Sequence, residues 1–114
     1  MSKQALNEKN CVSCIGSTPA ITEQEAAVML AELGVEWSIN AKQHLYREYR
    51  CKNFLCAMEY ANKIAVLAEQ QHHHPNLTIT WGKCQVEIWT HAINGLSEND
   101  FILAAKIEQT INKS

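Results

Sequence analysis

From Lys52 to Gln71 the chain reads KNFLCAMEYANKIAVLAEQQ, with neither Gly nor Pro, and His-His-His-Pro follows at once. Phe54, Ala57, Met58, Ala61, Ala65 and Ala68 recur at helical spacing, which predicts one long helix with an apolar stripe against a core. Pro75 disfavours helix at His74, and the pattern then switches to period two. Leu77, Ile79 and Trp81 alternate with Thr78 and Thr80, and Cys84, Val86 and Ile88 alternate with Gln85, Glu87 and Trp89. A turn at Gly82-Lys83 would join these runs as a β-hairpin. A helix of this length beside a hairpin restricts the chain to architectures that pack helices on a sheet.

The flanks supply the remaining elements. Thr22 and Glu25 have the spacing of a capping box, Gly34 stands in C-terminal cap position, and Ala26, Met29, Leu30 and Leu33 share one face, which predicts a first helix. Between Trp37 and Cys51, EWSIN and HLYREYRC read as a strand pair. Ser97 is placed to cap a third helix with Leu103, Ala104, Ile107 and Ile111 on its stripe. The order predicts an α+β fold: a four-stranded antiparallel sheet with three helices packed on one face. At 114 residues this is one domain, expected over 21–114 behind a flexible leader at 1–20.

A formal charge of −2 argues against the broad cationic surface that nucleic acid requires. MSKQALNEKNCVSC lacks the apolar core of a signal peptide, and no run approaches the roughly 20 apolar residues of a membrane span, so a cytoplasmic protein is expected. Cysteines number five, and Cys51, Cys56 and Cys84 lie in periodic segments as small buried hydrophobes, so reduced thiols are expected. Cys11 and Cys14 form a C-x-x-C without the second pair that a zinc site needs, and read as two free thiols in the leader.

QHHHPNLTITWGKCQVEIWTH, from Gln71 to His91, holds four of the five histidines. Successive side chains alternate on extended backbone, so His72, His73 and His74 are not expected to converge on a metal, and H-E-x-x-H is absent. His72 reads as a surface histidine at a helix C-terminus. For His73, His74 and His91, spacing leaves a surface role and acid–base chemistry both open, since imidazole ordinarily titrates near neutrality. Counting along the strand puts His91 on the side of Gln85, Glu87 and Trp89. Glu69, four residues before His73, is placed to orient that ring if the helix persists, and Asp100 is the N3 residue of the helix that Ser97 caps. Trp81 and Trp89 read as packing residues or as the rim of a ring-shaped pocket.

Taken together, AEQQHHHP, His91 and GLSENDFILAAKIE resemble the pterin-4a-carbinolamine dehydratase family over about Ile21 to Ile111. The C-x-x-C, KNF, WGK and NDFILAA look like the bacterial members that accompany phenylalanine hydroxylase. The resemblance implies the same α+β fold, and a homodimer made by continuing the sheet or a homotetramer made through the long helix. It implies dehydration of 4a-hydroxytetrahydropterin to quinonoid dihydropterin, with neither metal nor organic cofactor. His73, His74 and His91 are the catalytic residues it implies, His73 and His91 for proton transfer and His74 for binding and orienting the pterin. Pro75 and Trp81 are expected beside the substrate, and Glu69 and Asp100 as the carboxylates that hold histidine tautomers. Asn76, at an often acidic position, and Leu77, in place of an aromatic residue, depart from the family pattern. Two alternatives accompany this reading. One is a non-catalytic binding or regulatory module, since animal relatives serve as dimerisation partners of a transcription factor; the other is a pterin role in molybdopterin metabolism.

Overall fold

The computed structural model describes residues 5–12 and 20–112. After a 3-10 turn at Leu6–Glu8 come helix α1 (Glu23–Leu33), strands β1 (Ser38–Ile39) and β2 (Leu45–Arg50) and helix α2 (Phe54–Gln71). Strands β3 (Asn76–Thr80) and β4 (Lys83–Ile88), a 3-10 turn at His91–Ile93 and helix α3 (Glu98–Asn112) complete the order. The four strands pair antiparallel in the order β1-β2-β4-β3, with the helices on one face, as expected. None of the described helices is long and apolar enough to cross a membrane.

Period two assigns the sheet faces. Leu45, Tyr49, Cys84, Val86 and Ile88 are buried under the helices, while Tyr46, Glu48, Gln85 and Glu87 form the opposite, polar face. From α3, Phe101, Leu103, Ala104 and Ile107 complete the core, each large apolar side chain contributing about 1.5–3 kcal/mol by leaving water. The α1 cap is as expected: Thr22 Oγ1 accepts from Glu25 N–H, and Glu25 Oε1 accepts from Thr22 N–H.

Three local expectations change. The buried stripe of α2 is Ala57, Ala61, Ile64 and Ala68; Phe54 is 50% exposed and Ala65 is also exposed. Phe54 opens the helix before it reaches the core, and Ile64 holds the phase that Ala65 would need. The hairpin turn is Trp81-Gly82, because Thr80 pairs with Lys83, and Gly82 supplies the positive φ of +74°. Residues 5–12 of the expected flexible leader pack on the domain: Leu6 is 3% exposed, its N–H donates to Glu32 Oε2 at 3.0 Å, and Lys9 pairs with Glu98 at 2.7 Å. Leu6 inserts into the core, and Cys11 N–H donating to Gln71 Oε1 at 2.8 Å and Val12 N–H donating to Asn99 Oδ1 at 2.9 Å add to the anchorage. Cys14 lies outside the described residues.

Candidate active site

The histidine run is shaped by how α2 ends. His72 adopts left-handed backbone (φ 53°, ψ 36°), its N–H donates to Glu69 O at 3.4 Å, and His73 N–H donates to Ala68 O at 3.2 Å. These are the two bonds of a Schellman motif, with histidine where Gly or Asn is more usual. The left-handed residue turns the chain sharply, so His73 and His74 leave the helix in different directions.

His73 turns inward. Its Nε2 lies 2.6 Å from Asp100 Oδ1, with Asp100 fully buried and the His73 side chain 13% exposed. Asp100 Oδ2 accepts from Ser97 N–H at 2.8 Å and from Thr90 Oγ1 at 3.0 Å. Since the Thr90 proton points to Asp100, Ser97 Oγ is the donor in the 2.7 Å contact with Thr90 Oγ1. A buried carboxylate is retained only with such partners, and its place in the first turn of α3 adds the favourable end of the helix dipole. With the Asp100 carboxylate accepting at Nε2, Nδ1 is the His73 nitrogen left outside that bond.

His74 turns outward, with Nε2 2.5 Å from Glu69 Oε2 and both side chains exposed (60% and 77%). The expected pairing of Glu69 with His73 is thus corrected: the helix stops at Gln71, and the turn at His72 hands Glu69 to His74. His91 is likewise not on a strand. β4 stops at Ile88, and His91 opens a 3-10 turn closed by the Thr90–Gly95 bridge. It still lies against Trp89, whose ring it stacks on at 4.3 Å and 26°.

These residues meet around one cavity of about 350 Å³, lined by Val12, His72, His73, His74, Thr90, His91, Ala92 and Asn99. That volume is within the roughly 300–1,000 Å³ of small-molecule sites. Pro75 adjoins the cavity in sequence only, and Trp81 stands on the turn at the far end of β3, 71% exposed and outside the lining. Asn99 fixes one wall: its side chain bonds both the N–H and the C=O of Val12.

Sequence reasoning passed over Thr90, Asn99 and His44. Thr90 finds its partner ten residues away and Asn99 finds Val12 across the fold, so neither left a local pattern. His44 sits where the β2–β4 register, extended one residue, faces Trp89, and the two rings stack at 3.9 Å and 4°. His44 Nδ1 lies 2.7 Å from Glu87 Oε2, which also accepts from Asn40 Nδ2 at 2.8 Å. Burial acts to raise the Glu87 carboxyl, but bonds from Asn40 and His44 and the charges of His44 and Lys42 outweigh it and hold the pKa below its ordinary value.

Comparison with known proteins gives one answer. The family model described as pterin 4 alpha carbinolamine dehydratase matches residues 19–110. A Rickettsia canadensis (strain McKiel) protein that carries the provisional name pterin-4-alpha-carbinolamine dehydratase is 58% identical over 106 residues, 93% of this chain and 97% of its own. A similarly named protein of Alkaliphilus metalliredigens (strain QYMF) is 41% identical over 104 residues, 91% of this chain and 94% of its own. A crystal structure from Brucella melitensis, described as a transcriptional coactivator/pterin dehydratase, superposes with a TM-score of 0.74 at 27% identity, covering 81% of this chain and 98% of that one. With the fold, the histidine cavity and these matches in agreement, the chain belongs to the pterin 4 alpha carbinolamine dehydratase family.

Proposed function

We propose that this protein removes water from a 4a-hydroxytetrahydropterin to give the quinonoid dihydropterin. The C4a–O bond breaks, the hydroxyl leaves as water with one added proton, and N5 gives up its proton as the C4a–N5 double bond forms. Electrons balance within the ring system, so the step needs a proton donor and a proton acceptor. His73 and His91 are assigned these transfers, while His74 binds and orients the pterin. The observation that carries the reading is that these three histidines line one cavity and that His73 is anchored on the buried Asp100. Positioned proton transfer contributes about 10²–10⁴-fold. Asp100 is the carboxylate that sets the His73 tautomer, and Glu69 serves His74.

The physiological role that follows is recycling of the pterin cofactor of an aromatic amino acid hydroxylase in the cytoplasm. A homo-oligomer accompanies it: Phe54, Leu55 and Val66 leave apolar surface on α2, and β3 presents an unpaired edge within the chain. The test is stopped-flow absorbance of freshly generated 4a-hydroxytetrahydropterin in the presence of a chelator. Decay accelerated by the wild type and slowed about 10²-fold or more in His73→Ala and His91→Ala is the expected result. A folded wild type that leaves the decay unchanged would refute the dehydratase and favour a binding role.

A further inference from the structure

Stacking on Trp89 orients the ring of His91. Among the described residues its exposed ring makes no hydrogen bond, and its contact is the stack on Trp89. Trp89, beyond the last residue of β4, has only its neighbours to hold its ring angle. Of the two imidazoles stacked on it, His44 is the nearer, nearly parallel to the indole at 4° and 3.9 Å.

His44 is itself tightly held. Asn40 Oδ1 accepts from its N–H at 3.0 Å, its C=O accepts from Asn40 N–H at 2.9 Å, and its ring is tied to Glu87. Glu87 is fixed in turn by Asn40, so one asparagine sets both the backbone and the carboxylate partner of this imidazole. A ring tied at Nδ1 on a fixed backbone and lying flat on an indole restricts that indole's rotation, and a restricted indole restricts the next ring stacked on it. The series Glu87–His44–Trp89–His91 thus runs from a buttressed hairpin end to the rim of the histidine cavity.

We infer that His44 is a positioning residue for the dehydration: through Trp89 it sets the angle at which His91 presents its nitrogens to the cavity. This rests on the dehydratase reading above. His44 lies outside the cavity lining and needs no contact with substrate.

The experiment pairs kinetics with NMR of the histidine ring protons, the His91 signals being assigned by their loss in His91→Ala. Stacking on an indole shifts ring protons upfield, and His44→Ala is expected to reduce that shift. In the same variant kcat should fall about tenfold with KM within about twofold, because a small misplacement of a reacting group costs rate and not binding. His44→Phe, which keeps a flat ring on Trp89, should restore the shift and bring kcat within about threefold of wild type. Unmoved His91 signals in a folded His44→Ala protein would overturn the inference, as would a moved shift with unchanged kcat. A wild type showing the upfield shift and its loss in His44→Ala, but no dehydration, would support the stack as a positioning device and refute the reaction instead.

Discussion

Helix α3 carries two carboxylates that gather hydrogen bonds, and they serve different ends. Asp100, in the first turn, accepts from Ser97 N–H, Thr90 Oγ1 and His73 Nε2. Glu108, eight residues and about two turns later, accepts on Oε1 from Trp37 Nε1 at 2.9 Å, Arg47 Nε at 3.2 Å and Tyr49 Oη at 2.7 Å, and on Oε2 from Asn112 Nδ2 at 2.8 Å. The Glu108 cluster is the denser, yet none of its donors exchanges a proton near neutrality. Arginine stays charged, indole does not titrate, and burial followed by the Glu108 bond and charge drives the Tyr49 phenol well above its ordinary value. Asp100 counts an imidazole among its donors. A fully bonded carboxylate is a structural knot by default, and under the proposed dehydration the identity of one partner is what would give Asp100 a part in proton transfer.

The sharpest way to break this contrast is to neutralise each acid without changing its shape. Asp100→Asn should lower kcat for dehydration by about 10²–10⁴, because the side chain that fixes the His73 tautomer is gone, whereas Glu108→Gln should leave kcat within about threefold. Comparable losses in two folded variants, read by steady-state kinetics and circular dichroism, would erase the distinction. On stability the order reverses in emphasis: Glu108→Ala removes at once the acceptor of Arg47 Nε, Tyr49 Oη and Trp37 Nε1 and should cost about 2–4 kcal/mol in urea unfolding.

Acid unfolding sharpens the comparison further. Burial tends to raise the Glu108 carboxyl, but the bonds from Tyr49, Arg47, Trp37 and Asn112 prevail and lower its pKa in the folded protein. Its contribution is therefore complete above the unfolded carboxylate value and is lost as pH falls through the lower folded value. Tm should fall with pH below about 4.5, and Glu108→Gln should flatten that part of the profile. A parallel profile in the variant would assign the acid sensitivity elsewhere. The smallest effect belongs to Glu69→Ala: the exposed pair with His74 should be worth about 0–1 kcal/mol by denaturant midpoint, against about 2–4 kcal/mol for Glu108→Ala.

What the sequence made legible follows the range of the interactions. The existence of α2, the hairpin, the α1 cap and the stripe of α3 rest on neighbours within a turn or two, and local patterns carry them. The placement of Glu69 depended on whether the helix continued past Gln71, and a left-handed histidine, which leaves no strong sequence signal, decided it. His91 required knowing where β4 ends. The family motif named His73, His74 and His91 together, yet it did not indicate that Asp100 would take His73 and Glu69 would take His74. His44 was beyond reach, since its meeting with Trp89 is a product of β2–β4 register and not of spacing along the chain.

The strand order has a further effect, in the time dimension of synthesis. β4 is the last strand made but occupies an interior place, between β2 and β3, so β3 has no partner in the sheet until β4 arrives. A nascent chain that has emerged only through Thr80 possesses α1, α2 and the three adjacent histidines, but lacks Thr90, His91 and Asp100. Closure of the sheet and completion of the histidine cavity thus fall in the same stretch of translation, after Thr80, and a product released before α3 holds half a site with no buried acid to organise it.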